Sequence, residues 1–467
     1  MAHYFKFRSL SAIAAEVDRL GADVRFSDDF APLFRPVQVG LFHVGNAFCV
    51  QPMEGCDGTL EGAPDELVFR RYQRFGAGGA KLIWGEAAAV IEEGRANPRQ
   101  LLINNHTAAG FEKMHRVCRQ AHRDTFGNDD GLLVGLQLTH SGRYSYRKPL
   151  PAAYDPILGP SKGLDASCAL VDDDYLRRLV GHYVAAAKLA FKIGYQFIDI
   201  KQCHRYLLSE LLAATTRPGP YGGSFESRTR LARDIITAIR AEVPSLMIAT
   251  RMNVYDGIPF QRNADGGGEP SPHALPLTCA WGTNPYDHRM PDLTEPIAWI
   301  REMVQLGVSL VNVTMGSPYA TPHVIRPYEY PPPDGYETPE HPLIGVARHF
   351  RLTAEIQRAF PQLPIVGSGY SYLQEFMPHA AAANLQNGGC SFVGVGRATL
   401  AQPDFVKQLQ EQGRLDRKRI CRTFSYCTAL MRSKHNELGQ FATGCPPFDK
   451  EVYGPIWDEA KQASRAP

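Results

Sequence analysis

The chain has 467 residues, 44% of them hydrophobic and 21% charged, so it can bury a large core. Its 50 basic and 48 acidic residues leave a formal net charge of +2, which gives no reason to expect a nucleic-acid partner or a charged membrane surface. The first residues lack the apolar core of a signal peptide, and no apolar run predicts a membrane span. The ten scattered cysteines do not resemble a secreted disulfide framework, so we expect a cytoplasmic protein.

Short apolar, β-branched runs alternate with longer segments of helical period, in eight strand–helix pairs. The predicted strands are Phe48–Met53, Lys81–Ala87, Leu132–Thr139, Phe197–Lys201, Leu246–Asn253, Ser309–Met315, Pro364–Ser368 and Phe392–Arg397. The predicted helices lie near 65–78, 107–123, 172–193, 225–242, 294–306, 347–360, 372–387 and 403–413. No G-x-G-x-x-G sequence follows the first strand, so we favour an α/β fold of the (β/α)₈ TIM-barrel type over an open doubly wound sheet.

Two extensions flank the predicted barrel, which occupies residues 39–415. Residues 1–38 form an N-terminal extension or lid with one short amphipathic helix, Leu10–Leu20, and residues 416–467 form a C-terminal extension. An insert rich in glycine, proline and asparagine, from Asp256 to Pro291, follows the fifth strand. Because sites in such barrels lie at the carboxyl ends of the strands, we expect this insert on the catalytic face.

Glycine-rich turns follow the last two predicted strands, at Gly367-Ser368-Gly369 and Gly394-Val395-Gly396-Arg397. Turns at these places can present backbone N–H groups to a phosphate, and Arg397 can add a bidentate contact. The same glycines could also serve only to make tight turns. The turns therefore indicate a phosphorylated ligand without identifying it.

Six segments resemble the old yellow enzyme family, in chain order, over residues 33–410. The central ones are similar to that family's QLxHxGR, HGYLL and YGGSxENR stretches: Gln137-Leu-Thr-His-Ser-Gly-Arg143, His204-Arg-Tyr206-Leu-Leu and Tyr221-Gly-Gly-Ser-Phe-Glu-Ser-Arg228. The flanking ones are Val50-Gln-Pro52-Met53, Glu86-Ala87-Ala88 and Gly396-Arg397-Ala-Thr-Leu-Ala-Gln-Pro403. Each fragment is weak by itself, but the combination is specific.

The resemblance implies an FMN-dependent oxidoreductase that uses NADH or NADPH to reduce an activated C=C bond, as ene-reductases do. Tyr206 is the implied general acid, which protonates the α-carbon after hydride transfer from flavin N5 to the β-carbon. A phenol with an ordinary pKa of about 10 can donate to such a carbanion-like centre. The implied flavin contacts are Gln137 and Arg251 at the isoalloxazine edge, Pro52, Met53 and Ala87 along the ring, and Gly367, Ser368, Gly396 and Arg397 at the phosphate.

Three positions depart from the family pattern. Lys201 stands where the family has the first of two residues that hold the substrate's carbonyl oxygen, and His204 is the second. The Lys201 ammonium can serve as an oxyanion donor, or it can pair with Asp199 on the same side of the strand. Glu54 replaces the family's Thr or Cys near flavin N5, and Arg205 replaces the glycine before the acid. A flavin-dependent dehydrogenase or demethylase therefore stays open as the alternative.

Two further classes stay open on the residues alone: a Schiff-base barrel lyase that uses Lys201 and a non-catalytic flavin-binding protein. Cys421, Cys427 and Cys445 lie where larger relatives bind a [4Fe–4S] cluster, but Phe424 replaces the second of four cysteines. We therefore expect no iron–sulfur cluster, and a zinc site with His435 is the alternative to relict structural cysteines. We expect a small-molecule substrate and leave a homo-oligomer open.

Overall fold

Eight parallel strands close into a barrel in which each strand pairs with its neighbours in the chain and the last pairs with the first. The structure, a computed structural model, describes residues 3–433 and 436–464. The strands are β1 Phe48–Val50, β2 Leu82–Ala89, β3 Leu133–Thr139, β4 Phe197–Ile200, β5 Met247–Tyr255, β6 Val308–Met315, β7 Ile365–Gly367 and β8 Phe392–Val395. Nearly all of their residues are buried, as a sheet with both faces covered requires.

A helix follows each strand and packs outside the barrel, so the predicted (β/α)₈ fold is confirmed. The helices are α1 Glu66–Gly76, α2 Ala108–Phe126, α3 Asp173–Ile193, α4 Phe225–Glu242, α5 Thr294–Gln305, α6 Pro342–Ala359, α7 Met377–Gln386 and α8 Phe405–Gln412. Helix α3 shows how the sequence sets its limits. Asp172 caps it by accepting from the Tyr175 N–H at 2.6 Å, and Gly194 ends it with a φ of 111°.

Two predicted helices differ from the observed ones. Helix α6 begins five residues before the predicted 347, because Pro342 supplies a preset φ at its first position. The predicted helix 372–387 is a 3-10 segment, Tyr370–Phe376, followed by α7. The 3-10 segment is itself interrupted at Gln374, whose φ of 50° no right-handed α-helix contains.

A short hairpin that the sequence did not predict closes the amino-terminal end of the barrel. Its strands are Val37–Val39 and Phe42–Val44, joined through Gly40 at a φ of 56°. Val39 and Val44 pack into the barrel interior against Trp84. The opposite end, where the strands have their carboxyl termini, is therefore the open one.

The N-terminal extension lies against the outside of the barrel. Its helix, Leu10–Arg19, confirms the prediction within one residue, and the Ser9 side chain caps it. The Phe5 N–H donates to Glu329 at 2.8 Å, and the Phe5 ring packs on Tyr372. These contacts fix the segment to the loops that follow β6 and β7.

The C-terminal extension folds over the loop that follows β1. It contains the helices Tyr426–Arg432 and Lys450–Ala463, and the Thr443 N–H donates to the Gly55 carbonyl at 2.7 Å. Asp449 pairs with Arg70 and Arg74 of α1. The extension thereby reaches the open end of the barrel.

The insert after β5 contains a small hairpin, Phe260–Arg262 with Gly268–Pro270. A single bridge joins Gly267 to Glu337, in the long loop that follows β6. Among the described residues, no helix is both long and apolar enough to span a bilayer.

Candidate active site

A cavity of about 210 Å³ opens at the carboxyl ends of the barrel strands. Of the thirteen site residues predicted from the sequence, eleven line it: Pro52, Met53, Glu54, Gln137, Lys201, His204, Tyr206, Arg251, Ser368, Gly396 and Arg397. The other two, Ala87 in β2 and Gly367 in β7, are buried in their strands and are not among the lining residues. The sequence therefore located the cavity, and the neighbouring Gly394 and Gly369 line it in place of Gly367.

Asp199 on β4 organises the floor of the cavity. Its carboxylate accepts from the Gln137 side-chain amide at 2.6 Å, from the Trp84 indole N–H at 2.7 Å and from the Arg251 backbone N–H at 2.7 Å. Burial raises the pKa of Asp199 to about 6. Because the Gln137 nitrogen is committed to Asp199, its amide oxygen is turned to accept from a ligand.

Arg251 and His204 supply donors that lack strong partners. The Arg251 Nε is buried without a hydrogen-bond partner among the described residues, and burial lowers the pKa of this guanidinium. His204 Nε2 lies 3.4 Å from the Thr314 hydroxyl. Burial, together with the charges of Arg251 and Lys201, holds the pKa of His204 well below its usual value. The imidazole is therefore neutral at pH 7 and can donate one hydrogen bond.

Lys201 pairs with Glu54, which corrects the alternative that it pairs with Asp199. The Lys201 Nζ lies 3.3 Å from a Glu54 carboxylate oxygen and 3.7 Å from the centre of the Tyr206 ring. Asp199 is two residues earlier on the strand, which places it about 6.6 Å deeper in the barrel. There it is occupied by Gln137, Trp84 and the β5 backbone.

Tyr206 lines the cavity even though Arg205 replaces the expected glycine. His204 and Arg205 both adopt left-handed backbone conformations, with φ of 65° and 63°. The Arg205 side chain turns away from the cavity and pairs with Asp155 at 3.0 Å and Asp256 at 3.1 Å. Burial by itself would lower the pKa of Arg205, but these carboxylates outweigh it and raise the pKa.

The Tyr206 hydroxyl lies 3.2 Å from that of Tyr319, a cavity residue that sequence reasoning missed. Burial, then the Glu54 carboxylate, raises the pKa values of both phenols. Tyr319 belongs to the Gly316-Ser317-Pro318-Tyr319 turn after β6. A glycine turn at the carboxyl end of a barrel strand was the signal that could have found it. We call Glu54, Lys201, Tyr206 and Tyr319 the tyrosine group.

Three arginines form a second group, of which the sequence identified only one. We call Arg326, Arg397 and Arg432 the arginine group. Arg326 Nε and Nη2, Arg397 Nη1 and Arg432 Nε are buried without a hydrogen-bond partner among the described residues. Burial and the charges of Arg432 and Arg397 lower the pKa of Arg326 to about 9. Arg432 also pairs with Asp334 at 2.8 Å, so the buried donors without acceptors that indicate an anion site are chiefly those of Arg326 and Arg397.

The glycine-rich turns lie beside the arginine group. Gly394 is required by space, because a Cβ there would lie 1.9 Å from the Gln51 side-chain nitrogen. Gly369 has a φ of 96°, which favours glycine. Ser368 accepts from the Gln51 amide at 3.1 Å. Arg326 lies in the loop after β6, and Arg432 ends the short helix Tyr426–Arg432 of the C-terminal extension; both are outside the strand–helix pairs predicted from the sequence.

Several charged residues of the matched segments serve the scaffold rather than the cavity. Arg143 makes a buried pair with Glu210 at 2.6 Å, and Arg228 pairs with Glu295 at 2.6 Å. His140 contacts the Tyr175 hydroxyl at 2.7 Å. These bonds join neighbouring βα loops and so hold the open end of the barrel in shape.

The cavity fits FMN by the chemistry of its donors. The arginine group and the glycine turns offer cationic and backbone donors for a phosphate. The Gln137 oxygen and the unpaired Arg251 Nε offer an acceptor and a donor for the polar edge of an isoalloxazine ring. Arg326 and Arg397 line the same cavity as Gln137 and Arg251, so a single phosphorylated heterocycle satisfies both sets of donors.

The three cysteines of the C-terminal extension line a second cavity, of about 220 Å³, beside Arg397. Phe424 lines the same cavity, and burial raises the pKa of Cys421 to about 11. Three thiols do not supply the four thiolates of an ordinary [4Fe–4S] site. In the described part of the chain, no group of three or more His, Cys, Asp or Glu side chains has metal-binding geometry. His435, the alternative zinc ligand, lies outside the described residues.

Comparisons with known proteins agree on one family. A family model described as "NADH:flavin oxidoreductase / NADH oxidase family" matches residues 32–264. The chain is 27% identical over 379 residues to an NADPH dehydrogenase of Halalkalibacterium halodurans, a match that covers 78% of this chain and 88% of that protein.

Two solved structures share the fold. An old yellow enzyme homologue from Zymomonas mobilis superimposes with a TM-score of 0.56 at 20% identity, over 84% of this chain and 96% of that one. A 2-naphthoyl-CoA reductase in complex with 2-naphthoyl-CoA gives a TM-score of 0.65 at 18% identity. That match covers 92% of this chain but 58% of the reductase.

Proposed function

We propose a specific reaction for this chain, which belongs to the NADH:flavin oxidoreductase / NADH oxidase family and is an FMN-dependent oxidoreductase. The reaction is the reduction of the C=C bond of an α,β-unsaturated carbonyl compound, with NADH or NADPH as the reductant. The observation that carries the proposal is the convergence of Tyr206, Lys201 and His204 on the cavity that holds Gln137 and Arg251. An acid and two oxygen-binding groups then face the same space as the flavin-binding donors.

The chain's own residues hold the cofactor in this proposal. Arg326 and Arg397, with the turn around Gly369, bind the phosphate, and Gln137 and Arg251 bind the edge of the ring. When bound, FMN accepts a hydride from the nicotinamide and delivers it from N5 to the β-carbon of the alkene. Pro52 and Met53 line the same cavity and exclude water from the ring.

Lys201 and His204 bind the carbonyl oxygen of the substrate and stabilise the negative charge that develops on it. The neutral His204 donates one hydrogen bond, and the Lys201 ammonium donates a charge-assisted one. Lys201 exchanges part of its contact with Glu54 for the substrate oxygen. The Lys201 Nζ and the nearest Glu54 carboxylate oxygen are 3.3 Å apart, and the Glu54 side chain is 15% exposed. Glu54 can therefore stay close enough to balance the charge of Lys201 while the substrate binds.

Tyr206 supplies the proton to the α-carbon. Burial and the Glu54 carboxylate keep the pKa of Tyr206 well above 10, so the phenol is protonated throughout the ordinary pH range. An acid that holds its proton at pH 7 yet touches the reacting carbon meets the requirement for a late proton transfer.

A dehydrogenase on the same scaffold is the second candidate, and the Glu54–Lys201 pair favours it. A carboxylate paired with an ammonium inside the cavity can accept a proton from a saturated substrate, which would run the chemistry toward oxidation. A Schiff-base lyase is set aside because the chain is an FMN-dependent oxidoreductase.

The experiment separates the two directions. FMN-loaded protein is reduced by NADH or NADPH without oxygen and mixed with 2-cyclohexenone, and in parallel the oxidised protein is mixed with cyclohexanone. Our proposal predicts that the enone reoxidises the flavin and yields cyclohexanone, whereas the saturated ketone leaves the oxidised flavin unchanged. Reduction of the oxidised flavin by the saturated ketone, without reoxidation by the enone, would favour the dehydrogenase.

A further inference from the structure

The proposed reaction requires the buried Tyr206 hydroxyl to regain a proton after each turnover. Tyr206 is 3% exposed, and each turnover takes its proton to the α-carbon. The phenolate that remains is buried, and it must regain a proton before the next turnover. A buried phenolate without a donor or a nearby cation would be costly.

Tyr319 lies where it can return a proton to Tyr206. The two hydroxyl oxygens lie 3.2 Å apart, and Tyr319, unlike Tyr206, is partly exposed. The Tyr319 backbone N–H donates to the Ser317 hydroxyl at 3.3 Å, and its ring packs on Tyr144 at 4.7 Å between ring centres. The hydroxyl of Tyr319 is therefore held at Tyr206 by a fixed turn.

We propose that Tyr319 is a positioning residue that acts through Tyr206: it donates a hydrogen bond to the Tyr206 oxygen and passes a proton to it from water. This inference rests on the proposed alkene reduction. While Tyr319 donates to the Tyr206 oxygen, the Tyr206 proton is free to point at the substrate. A Tyr206 that donated to Tyr319 instead would have its proton directed away.

The proton balance is simple. The Tyr206 O–H bond breaks and a C–H bond forms at the α-carbon, while the reduced FMN, replenished by NADH or NADPH, supplies the hydride. The Tyr319 O–H then transfers its proton to the Tyr206 oxygen, and water returns a proton to Tyr319. No oxidant beyond the alkene and no reductant beyond the nicotinamide is needed.

The charges around the pair support a transient phenolate. The Lys201 Nζ lies 3.7 Å from the centre of the Tyr206 ring, and the Arg432 guanidinium lies 5.9 Å from the centre of the Tyr319 ring. Glu54 opposes them, because it raises the pKa values of both phenols. Two cations on the ring faces and one hydroxyl donor act in the opposite direction to the single carboxylate.

Two variants that each remove one hydroxyl test the inference. Tyr319→Phe removes the hydroxyl that meets Tyr206. Tyr144→Phe is the matched control, because the Tyr144 ring contacts both Tyr206 and Tyr319, whereas its hydroxyl interacts with the Ser317 side chain. Both proteins are loaded with FMN, checked for equal flavin content and reduced without oxygen by NADH or NADPH.

Each reduced protein is then mixed with 2-cyclohexenone or with ferricyanide, which takes electrons without protonation of carbon. We expect Tyr319→Phe to slow flavin reoxidation by the enone about tenfold, the value of one hydrogen bond to a developing charge. Its solvent deuterium isotope effect should increase. Reoxidation by ferricyanide, and both reactions of Tyr144→Phe, should match the parent protein.

The possible results distinguish a failure of the role inferred for Tyr319 from a failure of the proposed function. Equal enone rates in Tyr319→Phe and the parent protein would overturn the inference and leave the proposed function intact. Equal slowing in both variants, or slowing with ferricyanide as well, would also overturn it, because such changes reflect packing. If the parent protein reacts with ferricyanide but never with enones, the proposed function fails and the role of Tyr319 fails with it.

Discussion

Arg326 and Arg397 of the arginine group and Lys201 of the tyrosine group carry positive charge into the same cavity in opposite ways. Arg326 and Arg397 keep buried nitrogens without acceptors, whereas Lys201 meets a carboxylate within 3.3 Å. An uncompensated buried cation is costly until an anion arrives. The arginine group is therefore built around a permanent anionic ligand, and the tyrosine group is balanced without one, so that substrates can enter and leave.

The largest expected effect comes from removing the acid of the tyrosine group. Tyr206→Phe should slow enone reduction by about 10²- to 10⁴-fold, the usual contribution of a general acid. Reduction of the flavin by NADH or NADPH should keep its rate, because that step takes no proton from Tyr206. Rapid-mixing absorbance of the two half-reactions measures both, and equal slowing of the two would show that the variant disturbs the cofactor rather than the proton transfer.

A second prediction compares Arg205, whose charge is paired with carboxylates, with Arg326, whose charge is not. Arg205→Met leaves Asp155 and Asp256 buried without their partner, so we expect the free energy of unfolding to fall by about 3–5 kcal/mol. Arg326→Met removes a cation whose strongest charged neighbours are the like charges Arg432 and Arg397, so the FMN-free protein should keep or gain stability. Urea denaturation of the FMN-free proteins measures both changes. Arg147→Met, at an exposed arginine, is the control that should leave stability unchanged, and a large loss in Arg326→Met would contradict the comparison.

The third prediction concerns affinity. Arg326→Met should weaken FMN binding by about 10- to 100-fold, because a hydrogen bond to a charged group contributes about 1.5–3 kcal/mol. Riboflavin has the same ring but no phosphate, so its affinity should not change. Quenching of flavin fluorescence on titration with the FMN-free protein gives both constants. A parallel loss for riboflavin would place Arg326 at the ring and not at the phosphate.

The smallest effect is a dependence on pH. The pKa of Arg326 is about 9, below its ordinary value, because of burial and the neighbouring arginines. Below that pH Arg326 is charged and attracts the phosphate; above it, FMN binding must also take up a proton. FMN affinity should therefore fall about fourfold from pH 8 to pH 9.5, while riboflavin affinity stays level. Identical pH profiles for the two flavins would contradict the assignment.

The barrel was predictable because its signals are local and repeated. Each strand is a short apolar run, and caps such as Asp172 and Gly194 set the ends of the helices. The hairpin at the amino-terminal end escaped prediction because strands of three residues, Val37–Val39 and Phe42–Val44, show no usable alternation. Its role is defined by contacts with strands that are distant in sequence.

Site residues that lie in recognisable sequence motifs were predictable, whereas those that long loops contribute were not. Gln137, Tyr206 and Arg397 lie in segments matched by the family pattern. Arg326 and Tyr319 lie in the long loop after β6, whose path depends on packing against the C-terminal extension. The alternative that Lys201 pairs with Asp199 was wrong, because spacing along a strand gives the side on which a residue lies but not its depth in the barrel.

The most direct test of the proposed alkene reduction traces the origin of the hydrogen atoms that the product gains. FMN-loaded protein, NADH or NADPH and 2-cyclohexenone react in deuterium oxide, and the cyclohexanone is analysed by NMR and mass spectrometry. The product is extracted quickly, with a parallel incubation of cyclohexanone correcting for exchange. Our proposal predicts one solvent-derived deuterium at the α-carbon, which forms much more slowly in Tyr206→Phe; deuterium at the β-carbon reports only how far the flavin N5–H exchanged with solvent before its transfer. Cyclohexanone without solvent-derived deuterium at the α-carbon, or no cyclohexanone at all, would contradict hydride transfer to the β-carbon followed by proton transfer from Tyr206.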